Sequence, residues 1–473
     1  MTGALALGVT FAALGLFAWV GWRAGRAAVL DRDGFLAARG SQPALPLSLS
    51  FFASGLGAWI LFAPPEVGTF AGIVGVVGYG LGAAAPFLLF AWVGPKLRER
   101  LPAGVTLTHF VRLRFGRPMQ AYVALISVFY MFIFVTAELT AIGGVLALVS
   151  GVNPLVPILA VAGVTAAYTA YGGLPASLQT DRWQAWMVLA LVALGLAAIL
   201  TGVPDPVGRA QAAGLSRLTG VGFESLVVLV IAVAAANFFH QGYWQRVWAA
   251  RDRRSLATGA VGAALLSLPV VVLLGLFGMV AAGAEGTGNP SLAFFGLLEG
   301  LPAWVLALVV ALGVALVASS VDTLQNALVA LVAEDVAGGR LGLTGARWLT
   351  VVLTLPAVAI AVQGLSVLRL LLVADLLAAA TILPVLLGLW QRASRWAALA
   401  GGLAGLAGVV VLGWVTRGSL GAGLHLLTLP STEAGGLDLG AFVVAPLVSG
   451  LVTWLASLAL PAEQVPRPVA RAP

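Results

Sequence analysis

The stretch SFFASGLGAWI, residues 50–60, interrupts an apolar segment that is otherwise long enough to cross a bilayer. It places Ser54, Gly55 and Gly57 where a spanning helix should be apolar, and a Pro-Pro pair follows shortly after. Non-helical backbone at membrane depth is tolerated only where it is buried in protein or lines a water-filled cavity. The segment therefore predicts a broken helix, with an ordinary proline kink as the alternative.

A second interruption, NFFHQGYWQR, lies at residues 237–246 and brings Asn237 and His240 close to the end of another apolar segment. Paired interruptions in the two halves of a chain are the best sequence indication of a transporter's binding site. The alternative for this segment is an interfacial belt of aromatic residues, namely Tyr243, Trp244 and Trp248.

The composition of the whole chain points to a membrane protein. Of 473 residues, 60% are apolar and 9% are charged, whereas soluble domains are about 25% charged. The absence of cysteine excludes disulfides, thiolate catalysis and a cysteine-ligated metal. No G-x-S-x-G or H-E-x-x-H motif is present, so an enzyme is not expected.

The sequence contains thirteen apolar segments, and the length of each is close to or above the roughly 20 residues that a spanning helix needs. The predicted fold is an all-α polytopic membrane protein of about 13 transmembrane helices. Its predicted parts are an extra N-terminal helix at 1–22, a cytoplasmic loop at 23–45, five-helix units at 46–203 and 222–390, two C-terminal helices at 396–460 and a cytoplasmic tail at 461–473.

The basic residues fall mainly on one side of this arrangement. With thirteen spans, 21 of the 25 Lys and Arg residues lie on the same side, including Arg182 and Arg246. The positive-inside rule then predicts a plasma-membrane protein with its N-terminus outside and its C-terminus in the cytoplasm. The same clusters between apolar segments argue against nucleic-acid binding, and no obligate protein partner is evident.

Charged residues inside spans cost about 2.5–3.5 kcal/mol each on insertion scales, so they should face a partner or a cavity. Five such residues are predicted to lie in spans: Glu66, Glu138, Asp322, Arg369 and Asp375. A polar stripe, Ser319, Asp322, Thr323 and Asn326, repeats every three or four residues and so occupies one helical face. The stripe and the freed carbonyls of a broken helix together predict an oxygen-lined site for a small cation such as sodium.

Five motifs in order make the chain resemble the sodium:solute symporter family, whose proline- and urea-type carriers have a LeuT-like fold. They are DGFLAARGS at 33–41, GPKLRERLPAGVTLTHFVRLRFG at 94–116, YGGLPASLQTDRWQAWM at 171–187, QGYWQRVWAARD at 241–252 and SSVDT at 319–323. The resemblance implies thirteen spans, ten of which form a five-plus-five inverted-repeat core with a broken first core helix.

The resemblance also implies a sodium site, because family members hold sodium with carbonyls of the first core helix and two hydroxyls of the eighth. The implied ligands are Ala53, Leu56, Leu316, Ser319 and Ser320. Asp181 matches an acidic residue that lies on the sodium exit route or near a second sodium. Some relatives carry an acidic residue where this chain has Gly55, so stoichiometry and substrate stay open.

The expected activity is sodium-coupled symport of a small polar solute, such as proline or urea, into the cell. Candidate cavity residues are Gly55, Trp59, Glu138, Asn237, His240 and Asp322. Two alternatives remain: a transporter-like membrane sensor of a solute, and a proton-coupled carrier with Glu138 or Asp375 as the relay. The implied partners are the solute, sodium and the lipid bilayer.

Overall fold

In a computed structural model, the chain is a helical membrane protein. The structure describes residues 1–27, 31–283, 289–298, 300–431 and 436–460, and these form helices and turns with no β-strand. The helices are α1 Gly3–Ala27, α2 Arg32–Ala37, α3 Ala44–Gly55, α4 Ala63–Arg100, α5 Leu107–Phe115, α6 Arg117–Ser150, α7 Leu155–Gly202, α8 Pro206–Ala212, α9 Gly220–Phe238, α10 Gln241–Ala249, α11 Arg253–Ala282, α12 Ala293–Gly296, α13 Ala303–Leu331, α14 Leu343–Ala361, α15 Val367–Leu386, α16 Arg395–Arg417, α17 Leu420–Thr428 and α18 Leu439–Ala459. The predicted all-α fold is confirmed.

Helix α4 contains a chain reversal at Gly72. This residue has φ 62° and ψ −162°, a conformation that only glycine adopts readily. Gly68 and Val76, on either side of it, both approach Gly275 of α11. Eight residues of straight helix would separate them by about 12 Å along the axis. The chain therefore folds back, and residues 63–71 belong with α3 as the two halves of the broken first core helix.

Helix α7 reverses in the same way at Gly173, where φ is 58° and ψ is −150°. Tyr168 and Thr180, on opposite sides of this glycine, both donate hydrogen bonds to the carboxylate of Asp322. A straight helix would hold two residues twelve positions apart at about 18 Å. α7 therefore supplies two crossings of the membrane.

The number of crossings follows from these two reversals. Eleven helices of the described chain are long and apolar enough to span a membrane. The second half of α7 adds one crossing, and α3 with residues 63–71 adds another, so eleven plus two gives the predicted thirteen. The predicted division into units 46–203 and 222–390 stays a prediction, and the predicted tail at 461–473 lies outside the described residues.

Glycines let the helices approach one another closely. A Cβ atom at Gly78 would lie 2.4 Å from the Cα of Leu226, and one at Gly82 would lie 2.5 Å from the carbonyl oxygen of Leu229. These two positions of α4 thus contact the backbone of α9 directly. Such close contact is how spans associate where lipid provides no hydrophobic drive between them.

One local expectation is wrong. The grouping of Arg182 with the basic residues between spans predicts a loop there, but residues 174–182 are helical. Ser177, Thr180 and Asp181 are fully buried there. Their short polar side chains bond to other helices rather than to water, so the polar composition of the segment reflects internal contacts rather than exposure.

Candidate functional site

The first core helix is unwound in the middle of the protein. α3 ends at Gly55, Leu56 and Gly57 are extended, and a short 3-10 turn, Ala58–Leu61, leads into α4. The two prolines at 64 and 65 lie in the first turn of α4, a position where proline is well accommodated. The proline-kink alternative is therefore wrong, because the helix stops before the prolines begin.

The unwound segment leaves two predicted sodium ligands without protein partners. The carbonyl oxygens of Ala53 and Leu56 accept no hydrogen bond from any described residue, whereas that of the neighbouring Phe52 accepts one from Leu56. Both residues are buried. A buried carbonyl without a partner is costly, and a small cation would satisfy it.

Glu138 of α6 holds the turn that follows the break. Its carboxylate accepts hydrogen bonds from the backbone nitrogens of Ala58, at 2.7 Å, and Trp59, at 3.5 Å. A Cβ atom at Gly57 would lie 2.0 Å from Glu138 Oε1, so this position has room only for glycine. The predicted cavity residue Glu138 thus braces the backbone of the break.

Gly55 and Trp59 are in similarly close contact with their surroundings. A Cβ atom at Gly55 would lie 2.1 Å from the hydroxyl oxygen of Tyr243. The indole nitrogen of Trp59 donates a 3.1 Å hydrogen bond to the carbonyl of Gly55, and its ring stacks on Tyr79 at 5.6 Å between centroids. These contacts join the first break to the second.

The two predicted hydroxyl ligands on α13 differ in their bonding. Ser320 Oγ is fully buried and has no hydrogen-bond partner, although helical serines commonly bond the carbonyl four residues earlier, here that of Leu316. Ser319 Oγ donates a 3.0 Å hydrogen bond to Asp181 Oδ1, which leaves its lone pairs available. Both oxygens therefore have capacity for a cation.

Asp181 is paired with a buried arginine. Arg246 Nη2 lies 2.6 Å from Asp181 Oδ2, and both side chains are fully buried. Ser50 Oγ donates to the same oxygen at 2.5 Å, while the other oxygen accepts from Ser319. The carboxylate thus connects α3, α10 and α13, and its negative charge is already balanced by the guanidinium.

Asp322 belongs to the same polar interior but faces α7. Its carboxylate accepts hydrogen bonds from Tyr168 at 2.7 Å, Ser177 at 2.6 Å and Thr180 at 3.1 Å. All four side chains are buried. These hydrogen bonds of the predicted cavity residue Asp322 therefore hold the two halves of α7 against α13.

The second break separates α9 from α10. His240 precedes α10, stacks on Tyr243 at 4.1 Å, and neither ring nitrogen has a hydrogen-bond partner. Asn237 Oδ1 receives a 3.4 Å hydrogen bond from Tyr130. The aromatic-belt alternative is wrong, because its members are buried in the protein core: Tyr243, Trp244 and Trp248.

With this geometry in place, comparison with known proteins gives the family. A sequence model described as "Sodium:solute symporter family" matches residues 35–405. The chain belongs to the sodium:solute symporter family. It is therefore a membrane transporter and not an enzyme, as its sequence predicts.

Individual members of the symporter family show similarity of different extent. A spermidine transporter of Candida albicans is 32% identical over 440 residues, which cover 90% of this chain and 84% of that protein. Sodium/glucose cotransporter 2 of Rattus norvegicus is 29% identical over 180 residues, which cover 37% of this chain and 26% of that protein. The likeness to the glucose carrier is thus local.

Solved structures support the transporter fold. A Na+-coupled sialic acid symporter in a substrate-bound, outward-open state superposes with a TM-score of 0.76 at 16% identity, over 97% of this chain and 99% of that chain. Mhp1, a nucleobase-cation-symport-1 family transporter in a closed conformation, gives a TM-score of 0.59 at 14% identity, over 92% and 98%. At these identities the likeness concerns the fold alone.

Several residues of this symporter's interior were not identified from the sequence. The charge pattern predicts that Arg246 lies on the cytoplasmic side between spans, which is wrong because it lies in α10 and is fully buried. No local sequence pattern marks Ser50 or Tyr79. A basic residue close to a span's end fits the positive-inside pattern. Only the proximity of Arg246 to the polar break at 237–242 indicates another role.

Proposed function

We propose that this protein is a sodium-coupled symporter that carries a small solute into the cell by alternating access. The observation that supports it most is the set of buried oxygens without partners, the carbonyls of Ala53 and Leu56 and the hydroxyl of Ser320. Neutral oxygen ligands at a helix break suit a small hard cation. Ser319, and the carbonyl of Leu316, complete the proposed ligand set.

The proposed ion would act by favouring one conformation. A ligand shifts an equilibrium only through its different affinities for the two states. Sodium shared between the unwound segment of α3 and the hydroxyls of α13 would stabilise the state in which these helices are close together. Its inward movement releases about 2.3 kcal/mol per charge per 100 mV of membrane potential, which drives accumulation of the solute.

The proposed substrate is a compact polar solute, and proline and urea are the neutral candidates. The similarity to a fungal spermidine transporter adds an amine to this set. The cavity candidates around the breaks include Trp59, Glu138 and Asn237, whose aromatic and polar groups suit a small solute. Asp181 is proposed as a residue that orients Ser319 rather than as a ligand of a second sodium.

Uptake by purified protein in proteoliposomes tests this function. Labelled proline, urea and spermidine are offered under an inward sodium gradient, with choline replacing sodium in the matched control and empty liposomes as background. We expect one of these solutes to accumulate only in sodium. Equal accumulation in choline would contradict sodium coupling and would favour the proton-coupled alternative, for which Glu138 and Asp375 are the candidate relays.

A further inference from the structure

A groove of about 640 Å³ lies between α1 and the second half of α7. Its volume is within the range of about 300–1,000 Å³ that is typical of small-molecule sites. Residues at every fourth position line it, so each helix contributes one face. They include Trp19, Arg23 and Ala27 on α1, and Pro175, Gln179 and Trp183 on α7.

The reversal of α7 creates this groove. A Cβ atom at Gly21 would lie 2.8 Å from Cδ2 of Tyr168, and one at Gly25 would lie 2.9 Å from the Cα of Gly172. Helix α1 therefore packs closely on the first half of α7, and the two run in the same direction. Because α7 reverses at Gly173, its second half runs back along α1 in the opposite direction.

The antiparallel arrangement sorts the lining residues by polarity. Trp19 and Trp183 lie farthest from the reversal, and their side chains are 52% and 60% exposed. Arg23 and Gln179 lie one helical turn closer to it. Helix α1 is long and apolar enough to span a membrane and ends one turn after Arg23, so this end is at the membrane–water interface. The groove is thus aromatic on its membrane side and polar at its interfacial end.

Arg23 gives the groove a positive charge that no acidic residue balances. It is the only charged residue among the described residues that line the groove, and none of the described carboxylates pairs with it. Its guanidinium lies over the ring of Trp19, 5.6 Å from the ring centroid. The side-chain amide of Gln179 makes no hydrogen bond to a described residue. A neighbouring groove that shares Gln179 contains two aspartates and two arginines, so its charges are balanced.

This combination fits an amphipathic anion. We propose that the groove binds an anionic phospholipid of the surrounding bilayer, with its phosphate at Arg23 and Gln179 and an acyl chain between Trp19 and Trp183. Arginine forms strong, often bidentate hydrogen bonds with phosphate, and basic sites between transmembrane helices bind anionic lipid head groups. A zwitterionic lipid carries its own compensating cation and gains less from Arg23. Free phosphate would leave the aromatic part of the groove empty.

Native mass spectrometry of the full chain, purified in non-ionic detergent, tests the proposal by counting bound lipids. The probe is dioleoyl phosphatidylglycerol, and dioleoyl phosphatidylcholine is its zwitterionic match. We expect one phosphatidylglycerol to be retained at concentrations where phosphatidylcholine is lost. Arg23→Gln should weaken phosphatidylglycerol binding roughly tenfold. Arg254→Gln removes the same charge from an exposed arginine of α11, outside the groove, and should leave lipid binding unchanged.

A second variant tests the shape of the groove rather than its charge. Ala24, which also lines the groove, can be replaced by phenylalanine so that the groove is filled while Arg23 is retained. We expect Ala24→Phe to lose the bound phosphatidylglycerol. Thermal unfolding checks that each variant folds, and if Arg23→Gln does not, Ala24→Phe and the comparison of the two lipids decide.

Three results would overturn the proposal. The first is equal retention of the two lipids, or unchanged phosphatidylglycerol binding in both groove variants. The second is displacement of the lipid by an equal concentration of inorganic phosphate, which would identify a site for a free anion. The third is a dimer that Ala24→Phe dissociates without loss of lipid, which would assign the groove to a second copy of the chain. None of these measurements depends on sodium or on uptake, so the proposed function stands or falls separately.

Discussion

Arg246 and Asp181 form an ion pair of 2.6 Å whose two side chains are completely buried. The arginine follows the second break and the aspartate follows the reversal of α7, so the pair joins the two halves of the chain. Arg246 also donates to Ser50 at 2.8 Å and to Thr323 at 3.0 Å. Through Asp181 this pair fixes the hydroxyl of Ser319, one of the proposed sodium ligands.

Removing either member of this pair should destabilise the protein strongly. Arg246→Gln or Asp181→Asn leaves one buried charge without a partner, which costs about 3–5 kcal/mol. The double variant should lose less than the sum of the two single losses, because residues in contact couple. Thermal unfolding of the detergent-purified protein measures this. As a control, Arg417→Gln disrupts a salt bridge whose two side chains are each 17% exposed, and it should destabilise the protein less. Additive losses of stability at Arg246 and Asp181 would contradict the coupling.

Ser320→Ala should weaken sodium binding without weakening the fold. Its hydroxyl is buried and has no protein partner, so its loss should not lower the free energy of unfolding, because an unsatisfied buried hydroxyl is itself costly. The sodium concentration for half-maximal uptake should rise about tenfold. Ser319→Ala should show the same sodium effect and also lose stability, because its bond to Asp181 disappears.

The matched control for these serines is Ser225→Ala, which removes another buried hydroxyl, in α9, away from the proposed ligands. It should leave sodium dependence unchanged. Natural sodium dependence in Ser320→Ala would remove this serine from the ligand set.

The sequence was sufficient to predict the broken helix and the hydroxyl stripe. Gly55 and Gly57 within an apolar segment, and Ser319 and Asp322 on one helical face, are strong local signals, since polar and flexible residues are expensive in a span. Both features are confirmed as local structure, and their roles in binding stay proposals.

The rest of the candidate site cannot be predicted from local sequence, because it depends on contacts between distant parts of the chain. Arg246 and Asp181 are 65 residues apart, and each fits a cytoplasmic loop when its own segment is read alone. Tyr79, whose partners come from other helices, gives no local signal either. Residues 174–182 show the same limit, because a polar composition does not distinguish exposure to water from internal pairing.

Uptake should depend on sodium with a Hill coefficient close to one. The second acidic candidate for an ion, Asp181, already accepts hydrogen bonds from Arg246, Ser50 and Ser319, so the guanidinium supplies the positive charge that a second sodium would bring. Initial uptake rates over a range of sodium concentrations, at saturating solute and constant ionic strength, give the coefficient. A coefficient near two would mean that another ion site exists.

Gly57→Ala should abolish uptake, because the added methyl group would lie 2.0 Å from Glu138 Oε1. Glu138 cannot easily withdraw, since it is fully buried and bonded to the backbone of Ala58. Overpacking of this kind costs about 1–3 kcal/mol, here at the break itself, so thermal stability should fall together with transport. Gly163→Ala is the control, because nothing lies within 4 Å of its Cβ position in α7; it should retain uptake and gain up to about 1 kcal/mol from helix propensity. Unimpaired uptake by Gly57→Ala would show that the break and Glu138 need not approach so closely during transport.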